Sequence, residues 1–285
     1  MTSASLRLTG PAEDARHAYG PTLTAFRDAV KRSADMWRRI ETPHAPVPGL
    51  KWTAAETAAH VVGDLRDYTQ ALTRHAAGYM THANRPADSP SRLGAKVNAR
   101  HLEEVPERDL RRLAGLLEKA AAGYLDIATS VDPAVEIQTP NALVITPATM
   151  AALLLGEQLV HGLDIARAAQ LPWEITASDA LLVTPGAMAV MPQYLRPKRA
   201  AGVRISFELR MRGGPSYRMA IADGAAQITA AGEKADCAIT ADPADFLLVG
   251  YGRVPQWSVL LRGRLRPGGR KPWLARKFGT LLHSP

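Results

Sequence analysis

The chain has 285 residues, 46% hydrophobic and 22% charged, a balance typical of a soluble globular protein with one large domain or two smaller ones. No apolar run approaches the length of about 20 residues that a membrane-spanning helix needs. The first residues lack the apolar segment of a secretory signal, so we expect a cytoplasmic protein with no membrane span. The single cysteine, Cys237, excludes an intrachain disulfide, an all-cysteine metal site and a two-cysteine redox motif.

The net charge of +8 is unevenly distributed along the chain. Through Tyr194 there are 19 basic and 21 acidic residues, whereas from Leu195 onward there are 16 basic and 6 acidic ones. A basic half can bind nucleic acid, an anionic membrane or an acidic small molecule. No nucleic-acid-binding module, aromatic stacking platform or polybasic amphipathic helix is evident. We therefore expect a solvated arginine-rich surface, with an anionic ligand as the next alternative and no nucleic-acid partner.

The first 170 residues read as four helices joined by loops. Helical spacing of apolar residues predicts the first from Pro21 to about Ile40, and a proline-rich loop follows it. Thr53 and Glu56 have the spacing of a capping box at the start of a second, long helix. A polar segment at 84–90 follows, and the linker after it has room for a local helix. Two further helices are predicted. The third runs from Pro106 to about Ser130, and the fourth begins with Thr146 and Pro147 and ends before Leu171.

The sequence pattern changes in the last third of the chain. A bridging segment at 171–200 is predicted to hold a helix around 177–190. Short β-branched runs separated by Gly, Pro and Asp then predict an antiparallel sheet, and three apolar runs after Asp242 predict short helices packed on it. The fold class is therefore a helical bundle followed by a smaller α+β domain. We place the bundle at 15–175, a connecting segment at 176–200 and the α+β domain at 201–285.

Three ionisable residues interrupt the apolar fourth helix. Glu157 and His161 are four residues apart, so both side chains lie on one face, with Asp164 one turn further along. Such a pair often makes only an intrahelical hydrogen bond. Here its neighbours are Leu, Gly and Val, and buried charge needs a partner or a metal. A two-ligand metal site and a simple intrahelical pair are about equally favoured.

His60 is the candidate third ligand, because it lies among alanines and valines in the second helix. Alone, it is better explained as a core histidine bonded to a carbonyl group. With Glu157 and His161 it completes a His/Glu/His set that suits zinc and leaves positions open for water or substrate, although nickel, iron and cobalt are alternatives. Asp64 and Asp164 are interpreted equally well as orienting residues or as members of helix-face ion pairs. The other histidines are expected to be solvated: His17, His44, His75, His82, His101 and His283.

No serine-hydrolase elbow, P-loop or dinucleotide-binding glycine motif occurs, and "GGPS" and "RPGGR" are interpreted as turns. The segments "WTAAETAAHVVGDLRDY" and "LLLGEQLVHGLDIARAAQLPWEI" resemble the mycothiol-dependent maleylpyruvate isomerase family, a branch of the DinB-like metal-binding four-helix bundles. The match includes Trp52, His60 and the run from Gly156 to Ala168. The basic C-terminal part, which contains "ADCAITADPADFLLVGYGRVPQWSVLLRGRLRPGG", resembles the sterol carrier protein type two fold.

The resemblance implies a divalent metal, usually zinc, held by His60, Glu157 and His161, with mycothiol as thiol cosubstrate. Zinc would stabilise the thiolate, which is a far better nucleophile than the thiol. In isomerases the thiolate adds to an electrophilic carbon, a bond rotates and elimination returns the thiol, whereas in transferases the conjugate is the product. Segments 84–105 and 171–200 are longer than in a compact isomerase, so maleylpyruvate itself is not carried over as substrate. Cys237 is not needed by either route and is expected to be a buried small residue.

The basic domain would supply cations for an acidic substrate or shape the junction between the domains. The candidate catalytic residues are Asp164, Arg253, Arg262 and Arg264, and each arginine has the alternative of being a surface charge. We expect a metal- and thiol-dependent isomerase or S-transferase that acts on a small electrophile, as a monomer or homodimer. The alternatives are a protein that binds a lipid or other hydrophobic ligand on a scaffold bundle, and a metal-dependent lyase or hydrolase that needs no thiol.

Overall fold

The computed structural model describes residues 10–78, 90–140 and 143–283. His82 and most of the polar segment predicted at 84–90 lie outside these ranges. The first part of the chain forms six helices within the described residues: α1 Pro11–His17, α2 Tyr19–Trp37, α3 Ala54–Ala76, α4 Pro90–Glu104, α5 Leu110–Ala128 and α6 Pro147–Ala168. Helices α2, α3, α5 and α6 pack on one another as the bundle.

Local capping chemistry positions the two helices that carry the candidate ligands. Thr53 accepts a hydrogen bond from the backbone N–H of Glu56, whose carboxylate accepts one in return, so the predicted capping box begins α3. Thr146 caps α6 through the backbone N–H of Thr149, with Pro147 in the first turn as predicted. Both starts are therefore fixed by the residues that the sequence indicates.

The remaining bundle predictions need three corrections. Helix α2 begins before Pro21, which is tolerated because the first four N–H groups of a helix have no intrahelical acceptor. The short helix α1 was not predicted. The linker before the third helix contains the 15-residue helix α4, in agreement with the local helix for which the prediction left room. A two-stranded hairpin, β1 Ile137–Gln138 and β2 Val144–Ile145, also precedes α6.

The second part of the chain begins with α7 at Ala177–Val190, as predicted, followed by a 3-10 turn at Met191–Tyr194 and α8 at Pro197–Ala200. The other elements are β3 Ile205–Met211, β4 Ser216–Ala222, β5 Ala225–Ala230, β6 Cys237–Ala241, α9 Pro243–Gly250, α10 Gln256–Leu261, β7 Leu265–Gly268, a 3-10 turn at Pro272–Leu274, and α11 Ala275–Leu281. The sheet order is β5-β4-β3-β6-β7.

The sheet is mixed, which corrects the expectation of an antiparallel one. Strands β3 and β4, β4 and β5, and β6 and β7 pair antiparallel, whereas β6 runs parallel to β3 with Phe207 opposite Cys237. Strand β6 lies on the side of β3 away from β4 and β5, so the connection at 231–236 is a crossover and not a hairpin turn. Strand β7 includes Arg266, Pro267 and Gly268 of the "RPGGR" stretch, so interpreting that stretch as a turn alone was wrong.

Two hydrophobic cores result, one inside the helical bundle and one between the sheet and its helices, and α7 contributes to both. This confirms the predicted fold class of a helical bundle followed by an α+β domain. Cys237 is fully buried in the second core, as expected. The predicted boundaries at 175 and 200 stay a prediction. None of the helices in the described ranges is long and apolar enough to cross a bilayer.

Candidate metal centre

Helices α3 and α6 bring His60, Glu157 and His161 together. Each offers one ligand atom, and these atoms all lie within 4.8 Å of one another. Nε2 of His161 lies 3.0 Å from Oε2 of Glu157, and Nε2 of His60 lies 3.8 Å from the same oxygen. Ligand atoms placed about 2 Å from a tetrahedral zinc ion are about 3.3 Å apart, which falls between these two distances. The donor set and its spacing therefore fit a divalent metal.

Both imidazoles are held through the nitrogen that faces away from this cluster. Nδ1 of His161 lies 3.0 Å from Oδ2 of Asp164, and Nδ1 of His60 lies 3.1 Å from Nδ1 of His101. The ring of Trp52 packs against His60 with its centroid 5.0 Å away. A histidine ligand commonly donates its second N–H to a fixed partner, which aims its lone pair. Here each Nε2 is aimed at Glu157.

The protonation of the three residues follows from burial and their contacts. Burial outweighs the nearby Glu157 and lowers the pKa of His60 to about 4. Burial opposes charge on His161 as well, but hydrogen bonds to Asp164 and Glu157 outweigh it and raise its pKa to about 9. For Glu157 burial acts to raise the pKa, and hydrogen bonds from His161 and His60 hold it well below its usual value. Metal binding must therefore displace a proton from His161.

Arg253, from the loop after α9, reaches across to the bundle. Its Nε lies 3.0 Å from Oδ1 of Asp164 and its Nη2 lies 2.6 Å from Oδ2, so the pair is bidentate. Its Nη1 donates to the carbonyl oxygen of Tyr251 at 2.7 Å, and the Tyr251 hydroxyl donates to Oε1 of Glu157 at 3.4 Å. The α+β domain thus contacts Glu157 of the centre directly, and it contacts His161 through Asp164.

Arg262 and Arg264 are engaged elsewhere. Arg264 binds Asp245 through Nε and Asp242 through Nη2, the latter at 3.1 Å, at the start of α9. Nε of Arg262 donates to the carbonyl oxygen of Ser258, and its Nη2 lies 3.9 Å from Asp245. Of the four residues predicted as catalytic, the structure brings Asp164 and Arg253 to the centre. The predicted roles of Arg262 and Arg264 stay predictions.

His101 is the residue that sequence reasoning missed. We expected it to be solvated, but it is fully buried, because α4 lies against α3 with this side chain directed at His60. A Cβ at Gly63 would lie 2.6 Å from its ring, so the glycine makes room for it. Its Nε2 lies 3.0 Å from Oδ2 of Asp67. The missed signal was helical spacing, since Val97, His101 and Val105 are four residues apart.

A partly exposed acidic surface adjoins the centre. Asp64 lies one helical turn after His60, half-buried, and its carboxyl takes part in no hydrogen bond or ion pair within the described residues. Burial raises its pKa well above the usual value, and Glu157 adds to the shift. Burial likewise raises the pKa of Tyr194 to about 12, with smaller effects of Glu157 and Asp64. Glu157 itself keeps 21% of its side chain exposed. The centre thus opens beside protonatable oxygens.

Comparison with known proteins now decides the family. The sequence model of the mycothiol maleylpyruvate isomerase N-terminal domain matches residues 23–166, half of the chain. The chain belongs to this family. The match includes all three residues of the cluster, and it confirms the resemblance and the expected class of enzyme. No curated protein sequence matches the chain closely enough to count as a relative.

Solved structures of this family share the fold. The crystal structure of the mycothiol-dependent maleylpyruvate isomerase superposes with a TM-score of 0.55 at 14% identity, covering 88% of this chain and 92% of that one. A mutant of that enzyme superposes with a TM-score of 0.53 at the same identity and coverage. Because 88% of the chain is covered, the likeness extends beyond the bundle into the α+β domain. The resemblance of that domain to a sterol carrier protein stays a prediction.

Proposed function

We propose that this chain is a thiol-dependent isomerase or S-transferase that holds one divalent metal ion, zinc in the first instance, at His60, Glu157 and His161. The observation that carries the proposal is the convergence of these three side chains, with both imidazoles fixed through Nδ1. Family membership supports mycothiol as the thiol cosubstrate. The bound metal would supply Lewis acidity that lowers the pKa of a coordinated thiol and keeps it as a thiolate.

The protein's own residues would position this chemistry. Asp164 holds His161 by its Nδ1 and is itself held by Arg253, so we assign Asp164 and Arg253 as positioning residues. Both oxygens of Asp164 are already engaged, which leaves its carboxylate poorly placed to exchange protons with a substrate. Hydrogen bonds from His161 and Arg253 lower its pKa against the effect of burial. The Tyr251 hydroxyl would hold Oε1 of Glu157 in place through its hydrogen bond.

The substrate proposed is a small electrophile that a thiolate can attack. Close to the centre, Arg253 has its three guanidinium nitrogens engaged by Asp164 and Tyr251. The half-buried residues beside Glu157 are instead Asp64 and Tyr194. A surface of this kind favours a substrate that offers hydroxyl, carbonyl or amine groups over one that carries several carboxylates. Of the options that the sequence left open, an acidic substrate is therefore the less favoured.

Metal content and thiol binding test the proposal together. Protein purified without added metal should contain about one divalent ion per chain, and calorimetry should detect mycothiol binding that depends on this ion. His161→Ala and Glu157→Gln should lose both properties. His17→Ala is the matched control, because His17 is exposed on α1 and should keep both. Unchanged metal content in His161→Ala would contradict the proposed metal site.

The same measurements separate the two alternatives. Turnover that continues without any thiol would favour the lyase or hydrolase reaction. A lipid that co-purifies with protein whose metal is dispensable would favour the ligand-binding function. Mass spectrometry of an organic extract detects such a lipid.

A further inference from the structure

The α+β domain carries an unusual concentration of exposed apolar side chains. Among the described residues the large hydrophobic side chains that are exposed are Val144, Trp257, Leu261 and Trp273. Three of these fall within residues 257–273, with exposed fractions of 65%, 88% and 60% in chain order. Scattered single residues of this kind are ordinary, whereas a group of large ones often marks an interaction site.

Trp257 and Leu261 share one face of α10, because they are four residues apart. On the opposite face, Val259 is buried in the core of the sheet domain, so α10 packs on the domain through that face. The start of α10 also lies against the segment that follows Trp273, since Nε2 of Gln256 donates to the carbonyl oxygen of Ala275 at 3.1 Å. We name Trp257, Leu261 and Trp273 the α10 patch.

The chain around the α10 patch is purely basic. The last acidic residue is Asp245, and the 40 residues after it hold no Asp or Glu and eight basic residues: Arg253, Arg262, Arg264, Arg266, Arg270, Lys271, Arg276 and Lys277. Arg266, Arg276 and Lys277 are exposed and make no ion pair within the described residues. The cations that pair with aspartates remain accessible, and Arg270 is 75% exposed beside Asp236.

We propose that the α10 patch docks on the surface of an anionic lipid bilayer. Tryptophan favours the boundary between headgroups and acyl chains, and an exposed leucine gains free energy when it enters that boundary. Arginine and lysine around such a patch are attracted to anionic headgroups. No polybasic amphipathic helix was evident in the sequence because Trp257 and Leu261 lie on α10 and Trp273 lies on the 3-10 turn at Pro272–Leu274, two short elements that do not form one helix.

Charge and chemistry favour this occupant over two others. In a two-fold dimer of this chain the same patch would face itself, so the basic rim of one copy would meet that of the other. A single-stranded nucleic acid can stack on tryptophan, but Leu261, the most exposed of the three residues, offers no ring for a base. An anionic bilayer uses the leucine, the tryptophans and the cations together.

Vesicle binding by the full chain tests the proposal. We expect the protein to sediment with vesicles of phosphatidylcholine containing about one third phosphatidylglycerol, and not with vesicles of phosphatidylcholine alone. Leu261→Asp should abolish sedimentation, and the double variant Arg276→Gln/Lys277→Gln should weaken the partition coefficient about 30-fold, as expected for two lost cations. High salt should reverse binding of the wild type.

Matched variants elsewhere in the chain provide controls. Val144→Asp introduces the same charge at an exposed apolar residue of the bundle, and Arg111→Gln removes an exposed cation from α5; both should bind vesicles as the wild type does. Circular dichroism melts verify that each variant folds. Three results would overturn the proposal: equal binding by Leu261→Asp and wild type, a dimer that Leu261→Asp dissociates without any vesicle binding, or tighter binding to a single-stranded oligonucleotide than to anionic vesicles.

Discussion

Nδ1 of His60 and Nδ1 of His101 face each other at 3.1 Å, and the two rings are tilted by 32°. One of the two nitrogens must carry the proton of this hydrogen bond. If His60 carries it, its Nε2 lone pair faces Glu157, and His101 donates from Nε2 to Asp67, which Arg100 also binds. This arrangement of tautomers satisfies His101 and Asp67 and leaves the Nε2 lone pair of His60 free for a metal ion. Without a metal, the hydrogen bond from His60 to Glu157 needs a proton on Nε2 instead.

The first prediction follows from this contact. His101→Ala should weaken metal affinity about 10–100-fold, because His60 loses the partner that fixes its tautomer and orientation. Competition against a chelating dye measures the change. His75→Ala, on the same helix as His60 and outside the cluster, should leave the affinity unchanged. Equal affinities for His101→Ala and wild type would show that His60 needs no partner.

The second prediction concerns the ion pair between Asp164 and Arg253. Asp164 is 1% exposed, so Arg253→Met leaves a buried carboxylate with only His161 as a partner. We expect this variant to lose about 3 kcal/mol of unfolding free energy, and Asp164→Asn in the same background to restore part of it. Urea titrations of the four proteins of this double-mutant cycle give the coupling free energy. A coupling near zero would mean that the contact does not hold the domains together.

Sequence reasoning located the cluster because its clues are local. Glu157 and His161 are one turn apart on an apolar helix, and His60 has alanine and valine neighbours. The same reasoning missed His101, because polar residues such as Arg100 and Glu103 beside it masked the stripe that Val97 and Val105 continue. Periodicity, which compares positions one turn apart, was a better guide here than the average polarity of the neighbourhood.

The long-range features were beyond a single sequence. The contact between Arg253 and Asp164 joins positions 89 residues apart, and no local pattern distinguished this arginine from Arg262 or Arg264. The parallel pairing of β6 with β3 likewise depends on how the sheet packs against its helices. The α10 patch was invisible for the same reason, since exposure is decided by the folded arrangement and not by composition.

The third prediction addresses Gly162, the residue after His161. A Cβ at this position would lie 2.2 Å from the ring of Trp173, whose Nε1 donates to the carbonyl oxygen of Leu159 at 2.9 Å. Because this hydrogen bond holds the indole in place, the ring cannot move away from an added methyl group. Gly162→Ala should therefore lower the unfolding free energy by about 1–3 kcal/mol. Gly123→Ala, on the exposed face of α5 where a Cβ meets nothing within 4 Å, should raise it by up to about 1 kcal/mol. Thermal melts of both variants compare the two effects, and a stabilised Gly162→Ala would contradict the packing argument.

The fourth prediction is a pH dependence in the sheet domain. Asp236 accepts hydrogen bonds from Lys271 and from the backbone and hydroxyl of Ser206, and these contacts, Lys271 first, hold the pKa of its carboxyl well below the usual value. A lowered folded-state pKa stabilises the fold above the unfolded-state pKa of about 3.9 and loses that effect as the pH falls below it. Asp236→Asn should therefore lower the unfolding free energy by about 1–3 kcal/mol at pH 7, and the difference should shrink between about pH 4 and pH 2.

Asp223→Asn is the control, because its ion pair with Arg204 is exposed and should contribute less than about 1 kcal/mol. Urea titrations across this pH range measure both, and a difference for Asp236→Asn that stays constant down to pH 2 would assign its effect to packing and not to the ionised carboxylate.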